Sequence, residues 1–129
     1  MKITKFEDLK IWKLSLTITK MTYDLTSKGV FAKDFCLRDQ IRRAIISVSS
    51  NIVEGFEKNN NNEFIRFLKI AKGSVGEVRN QLYIALEVSY ITKSEFGNIN
   101  KKLIDLSNQI GSFVNYLKTK RRNKEFTTR

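Results

Sequence analysis

The chain has 129 residues, 41% of them hydrophobic, with 24 Lys and Arg against 13 Asp and Glu and a net charge of +11 at pH 7. This length fits one compact domain, and the hydrophobic share supplies its core, which argues against two domains and against intrinsic disorder. With no His, no Pro and one Cys, the composition excludes Ser-His-Asp and Cys-His nucleophile systems, His or Cys zinc sites and disulfide frameworks.

Apolar spacings of three and four predict four helices. The first runs from about residue 7 to 28, with Leu9, Trp12, Leu16 and Tyr23 as its inner stripe and Gly29 as a left-handed cap. Cys36, among Phe35, Leu37 and Ile41, reads as core filler. The second helix, about 34 to 58, buries Leu37, Ile41, Ala44, Ile45, Val48, Ile52 and Phe56 and closes at the asparagines 59–62. The third, about 63 to 90, buries Phe64, Leu68, Ala71, Val75, Val78, Leu82 and Ala85. Thr92 to Glu95 reads as a capping box opening a fourth helix to about Lys118, striped by Phe96, Ile99, Leu103, Leu106, Ile110, Phe113 and Leu117. Short connections make neighbours antiparallel, so the expected fold is all-α, an up-down-up-down four-helix bundle over residues 1–117. Residues 118–129, with six basic side chains against one acidic, read as a flexible basic tail.

The third helix carries a second stripe: Ile70, Ser74, Glu77, Gln81, Ile84, Val88 and Ile91. One small bundle does not easily bury both, so Ile70, Glu77, Gln81, Ile84 and Val88 are the expected contacts with further copies of the chain. A hairpin of the second and third helices sets residues summing to about 120 opposite each other. Glu54 then meets Arg66, Arg43 meets Glu77, and Gly73 and Gly76 face Ser47 to Ser50 in close approach. Arg43, Ser47, Asn51, Glu54, Arg66, Ser74, Glu77 and Gln81 form a structural polar network on this reading, since buried carboxylates need partners. No catalytic residue, metal site or cofactor is expected.

The charge points to a polyanion. Lys69, Lys72 and Arg79 fall within about 80° on the third helix, away from Glu77 and Gln81. Arg38 and Arg42 on the second helix, and Lys118, Lys120, Arg121, Arg122 and Lys124 near the end, extend the candidate phosphate contacts. The spacing gives no aromatic-interleaved RNA platform, zinc finger or helix-turn-helix, so binding would be sequence-nonspecific. The alternative is a protein–protein adaptor kept soluble by its charge. A membrane partner is not expected, and the charged start predicts a cytoplasmic chain.

QIRRAIISVSSNIVEGFEK and EFIRFLKIAKGSVGEVRNQL, with the opening FEDLKIWKLS, resemble a four-helix-bundle protein family found in open reading frames inside 23S rRNA intervening sequences. Asn51, Glu54, Gly55 and Phe56 with Glu63, Phe64, Arg66, Phe67, Gly73, Ser74, Glu77 and Gln81 carry the likeness. The resemblance implies an antiparallel bundle assembling as a ring-like homopentamer, with no known enzymatic activity. The similar accessory variability determinant of diversity-generating retroelements is a basic pentamer that engages reverse transcriptase and nucleic acid. This chain departs from the family in having Ser49 where proline is common and Arg79 where an acid is common.

Overall fold

The computed structural model describes the backbone of residues 3–123 and the side chains of residues 3–120. Four helices, α1 (Lys10–Thr26), α2 (Phe35–Glu57), α3 (Asn61–Glu87) and α4 (Lys93–Asn123), are joined by short connections, with no strand among the described residues. α1 and α3 each pack against both α2 and α4. None of the described helices is long and apolar enough to cross a membrane.

Helix ends follow local chemistry. Asp34 caps α2 by accepting the Leu37 N–H at 3.1 Å, and Asn60 caps α3 by accepting the Glu63 N–H at 3.0 Å. Asn59, at φ 55°, turns the chain between them. Past the Val88 cap of α3, Ser89 turns the chain at φ 66°, with Tyr90 N–H donating back to the Ala85 carbonyl at 2.8 Å. The Thr92–Glu95 box forms as expected, each side chain accepting the other's backbone N–H at 3.1 and 2.9 Å.

The stripes expected for α2, α3 and α4 are the core, with Leu37, Phe96 and Phe113 at its margin. α1 differs. Leu16 and Tyr23 face outward, and the buried stripe is Ile11, Ser15, Ile18, Thr22 and Thr26. Hydroxyls can be buried there because each bonds within the helix: Thr22 Oγ1 to the Ile18 carbonyl and Thr26 Oγ1 to the Thr22 carbonyl at 2.8 Å, Ser15 Oγ to the Trp12 carbonyl at 2.6 Å. Gly29 is left-handed at φ 52° but lies beyond the Ser27 cap. Cys36 is exposed, not core, because the Asp34 cap starts the helix with Phe35 and Cys36 on its outer side. α4 continues through Asn123, past the boundary expected at residue 117, so the tail begins as helix. Residues 124–129 lie outside the described residues.

Candidate functional site

Beside its apolar core contacts, the seam between α2 and α3 holds a set of small and polar groups. Ser47 Oγ and Ser74 Oγ lie 3.0 Å apart, and Asn51 Nδ2 donates to the Ser47 carbonyl at 2.8 Å and to its hydroxyl at 3.0 Å. The Ser47–Ser74 contact fits the antiparallel register read from the asparagine turn. The close approach occurs at Gly55, where a Cβ would lie 2.7 Å from Phe67 Cβ and 3.1 Å from Phe64 Cδ1. Gly73 and Gly76 have open space around them, contrary to expectation, because they lie on the outer side of α3.

The two expected ion pairs do not form. Arg66 donates to Glu63, Nε to Oε2 and Nη2 to Oε1 both at 3.1 Å, since a carboxylate three residues away on the same helix is within easier reach than Glu54 across the seam. That pairing lowers the Glu63 pKa and raises that of Arg66; Glu54 adds only a weak through-space attraction. Arg43 and Glu77 line one groove of about 290 Å³ with Gln40, Ala44, Ser47 and Gln81, but make no ion pair. The expected polar network therefore reduces to Ser47, Asn51 and Ser74.

Beside this groove the second stripe of α3 is only partly uncovered, since Ser74, Gln81 and Ile91 are buried within the chain. Ile70 and Ile84 are 43% exposed and Val88 is 50% exposed, whereas Gln81 is only 8% exposed. Its Oε1 is buried without a hydrogen-bond partner, a condition that native proteins seldom leave standing.

The opposite side of α3 meets α4 through longer side chains. Arg79 Nε donates to Asn100 Oδ1 at 2.9 Å, and Lys72 reaches across so that its Cε would lie 3.4 Å from a Cβ on Gly111. Lys69 stands exposed on the same helix. No carboxylate pairs with Lys69, Lys72 or Arg79 among the described residues, so three cations remain available on one outward surface.

The other expected phosphate contacts are not part of that surface. Arg38 and Arg42 belong to the corner between α1 and α2. Arg42 donates through Nε to Thr26 Oγ1 at 2.8 Å and through Nη2 to Ser27 Oγ at 3.1 Å, with its guanidinium 4.4 Å from the Tyr23 ring centre. Arg38 donates to the Ala32 carbonyl at 3.0 Å and to Asp39 at 2.9 Å, and stacks 4.7 Å from the Phe35 ring centre. Phe35 and Arg38 are three apart on one helix and could have been found from spacing; Tyr23 and Arg42 meet only across helices. Lys118 and Lys120 lie in the last turns of α4, Lys120 at 5.7 Å from the Tyr116 ring centre. Arg121 and Arg122 belong to the same helix with side chains outside the described residues, as is the whole of Lys124.

Asp34 secures this corner to the end of α3 by accepting the Tyr90 hydroxyl at 2.9 Å. The Leu37 backbone N–H, then the Tyr90 hydroxyl, hold its carboxyl below the usual aspartate range, and the same bond raises the Tyr90 pKa.

No curated protein matches the chain. Among solved structures it is similar to a protein of unknown function from the S23 ribosomal protein family of Bacteroides thetaiotaomicron, at 23% identity and a TM-score of 0.74, covering 81% of this chain and 97% of that one. That likeness shows the shared fold. The family model described as 23S rRNA-intervening sequence protein matches residues 7–112, most of the bundle just described, and the chain therefore belongs to that family.

Proposed function

We propose that this protein is a non-enzymatic, self-associating helical bundle that binds RNA or DNA through its phosphates, as a platform on which a second protein can assemble. The observation that carries the reading is the set Lys69, Lys72 and Arg79 beside α4, with no carboxylate partner among the described residues. Cations left free of acids attract phosphate and release its counterions, whatever the base sequence. The net charge of +11 acts in the same direction over longer range.

Self-association draws support from the other side of α3. Ile70, Ile84 and Val88 are exposed beside the buried, unpartnered Gln81 Oε1, and a neighbouring copy could cover the first and hydrogen-bond the second. A closed ring, the homopentamer implied by the family resemblance, repeats one such contact and multiplies a weak phosphate site by avidity.

The test is binding to labelled RNA over a range of salt concentrations, starting with an intervening sequence of 23S rRNA. Affinity falls with salt, and joint replacement of Lys69, Lys72 and Arg79 by Gln makes the log–log slope shallower by about 2 to 3, near 0.7 to 0.9 per lost phosphate contact. Binding that ignores salt, or a slope unchanged in the triple variant, overturns this assignment and leaves the protein–protein adaptor as the better reading.

A further inference from the structure

We propose that the corner between α1 and α2 is a stacking site for the bases of a single-stranded nucleic acid, with Phe35 and Tyr23 as its platforms. The inference rests on the phosphate-binding reading above and adds the class of nucleic acid. Phe35, the first residue of α2, is 64% exposed. Its ring is backed by Arg38 at 4.7 Å and that of Tyr23 by Arg42 at 4.4 Å. Residues 35, 38 and 42 share one face of α2, so the corner presents a row of ring, guanidinium, guanidinium and ring.

The guanidiniums are already fixed in place. Arg42 is held by the hydroxyls of Thr26 and Ser27, and Arg38 by the Ala32 carbonyl and Asp39. Little side-chain freedom remains to be lost when a planar ligand arrives. Charge favours an anionic partner. Every carboxylate of the corner is engaged within the chain: Asp24 with Lys20, Asp34 with the Leu37 N–H and the Tyr90 hydroxyl, Asp39 with Arg38. Arg42 has polar partners but no acid, and exposed Lys28 and Lys33 have no ion pair among the described residues. Bases would stack on the rings while these cations take the phosphates. In a duplex the base faces are covered by their neighbours, so the site selects single strands.

An anionic bilayer could also meet Val30, Phe35 and the lysines. Guanidiniums held 4.4 and 4.7 Å from the ring centres, with two nitrogens of each already bonded, fit a row of planar bases better than a lipid surface.

The experiment measures binding of the full chain to a single-stranded oligouridine, to an RNA duplex of equal length and to phosphatidylserine vesicles. Phe35→Ala and Tyr23→Leu are compared with Phe35→Trp, and circular dichroism checks each fold. Phe35→Ala and Tyr23→Leu weaken oligouridine binding by roughly 5- to 100-fold and duplex binding by less than about twofold, and Phe35→Trp retains the single-strand affinity. Equal losses on both nucleic acids, no loss on the single strand, or a loss confined to vesicles overturns the stacking site and leaves the phosphate reading intact. Wild-type protein that binds neither nucleic acid overturns both.

Discussion

Along the α2–α3 seam small groups bring the helices close, Ser47 against Ser74 and Gly55 beneath Phe64 and Phe67, with one aromatic pair, Phe56 and Phe64, at 5.8 Å. Along the α3–α4 seam the contacts are large: Tyr83 against Phe96 with ring centres 4.6 Å apart, Phe64 against Phe113 at 5.4 Å, and Arg79 and Lys72 laid across. Close approach at the first seam leaves Ile70, Ile84 and Val88 standing at its rim, available to another protein surface. The second seam has room for long cationic stems, which lie along it and keep their charges outward. One helix thereby carries two surfaces of different chemistry, and a substitution on one should leave the other intact.

The largest expected effect tests that separation. Ile84→Arg sets a cation on the aliphatic rim and should reduce the assembly to single chains, a fivefold loss of mass if the ring has five copies, with helical content unchanged. Light scattering and circular dichroism report both. Unchanged mass would remove the rim from the self-association surface.

Next come the two seams themselves. Gly55→Ala places a Cβ 2.7 Å from Phe67 Cβ, and neither helix backbone can easily give way. Overpacking outweighs the gain in helix propensity and costs about 1 to 2 kcal/mol. At Gly111 the added Cβ meets only the flexible end of Lys72, at 3.4 Å, so Gly111→Ala should stabilise by about 0.5 to 1 kcal/mol. Urea unfolding of both variants decides the matter; equal signs would mean that the two seams are equally tolerant.

The smallest effect concerns acid. A carboxyl whose folded pKa is lowered adds stability that is complete above the ordinary aspartate range and is lost from about pH 4 downward, as the pH falls through the folded value. Asp34 is such a group, and so is Glu63. Asp34→Asn keeps a capping oxygen but removes the titration, so its stability should fall less steeply with acid than that of the wild type. Parallel curves would show that Asp34 contributes nothing to the pH dependence.

The cores of α2, α3 and α4 are legible in the sequence because apolar residues occupy those stripes almost without interruption. α1 is not, because Leu16 and Tyr23 have the stronger hydrophobic signal while the core positions belong to Ser15, Thr22 and Thr26, whose hydroxyls are satisfied locally. Register was readable from the asparagine turn, as Ser47 and Ser74 show, but partner choice was not: Arg66 takes the nearer Glu63. The cations of α3 could be grouped by helical angle alone. The pairing of Tyr23 with Arg42 could not, since it depends on how two helices meet.

The hydroxyls inside α1 also set how tightly that helix is held. A fully buried Leu or Ile contributes about 1.5 to 3 kcal/mol through the water it sheds, whereas a hydroxyl bonded to its own helix contributes mainly a locally satisfied polar group. With Ser15, Thr22 and Thr26 at core positions, α1 is held by its apolar Ile11 and Ile18 together with the half-buried Trp12, Leu14, Met21 and Leu25 at its flanks. Thr26 and Ser27, which anchor Arg42, lie at the end of that helix, so the row of rings and guanidiniums keeps its geometry only while that end of α1 stays docked.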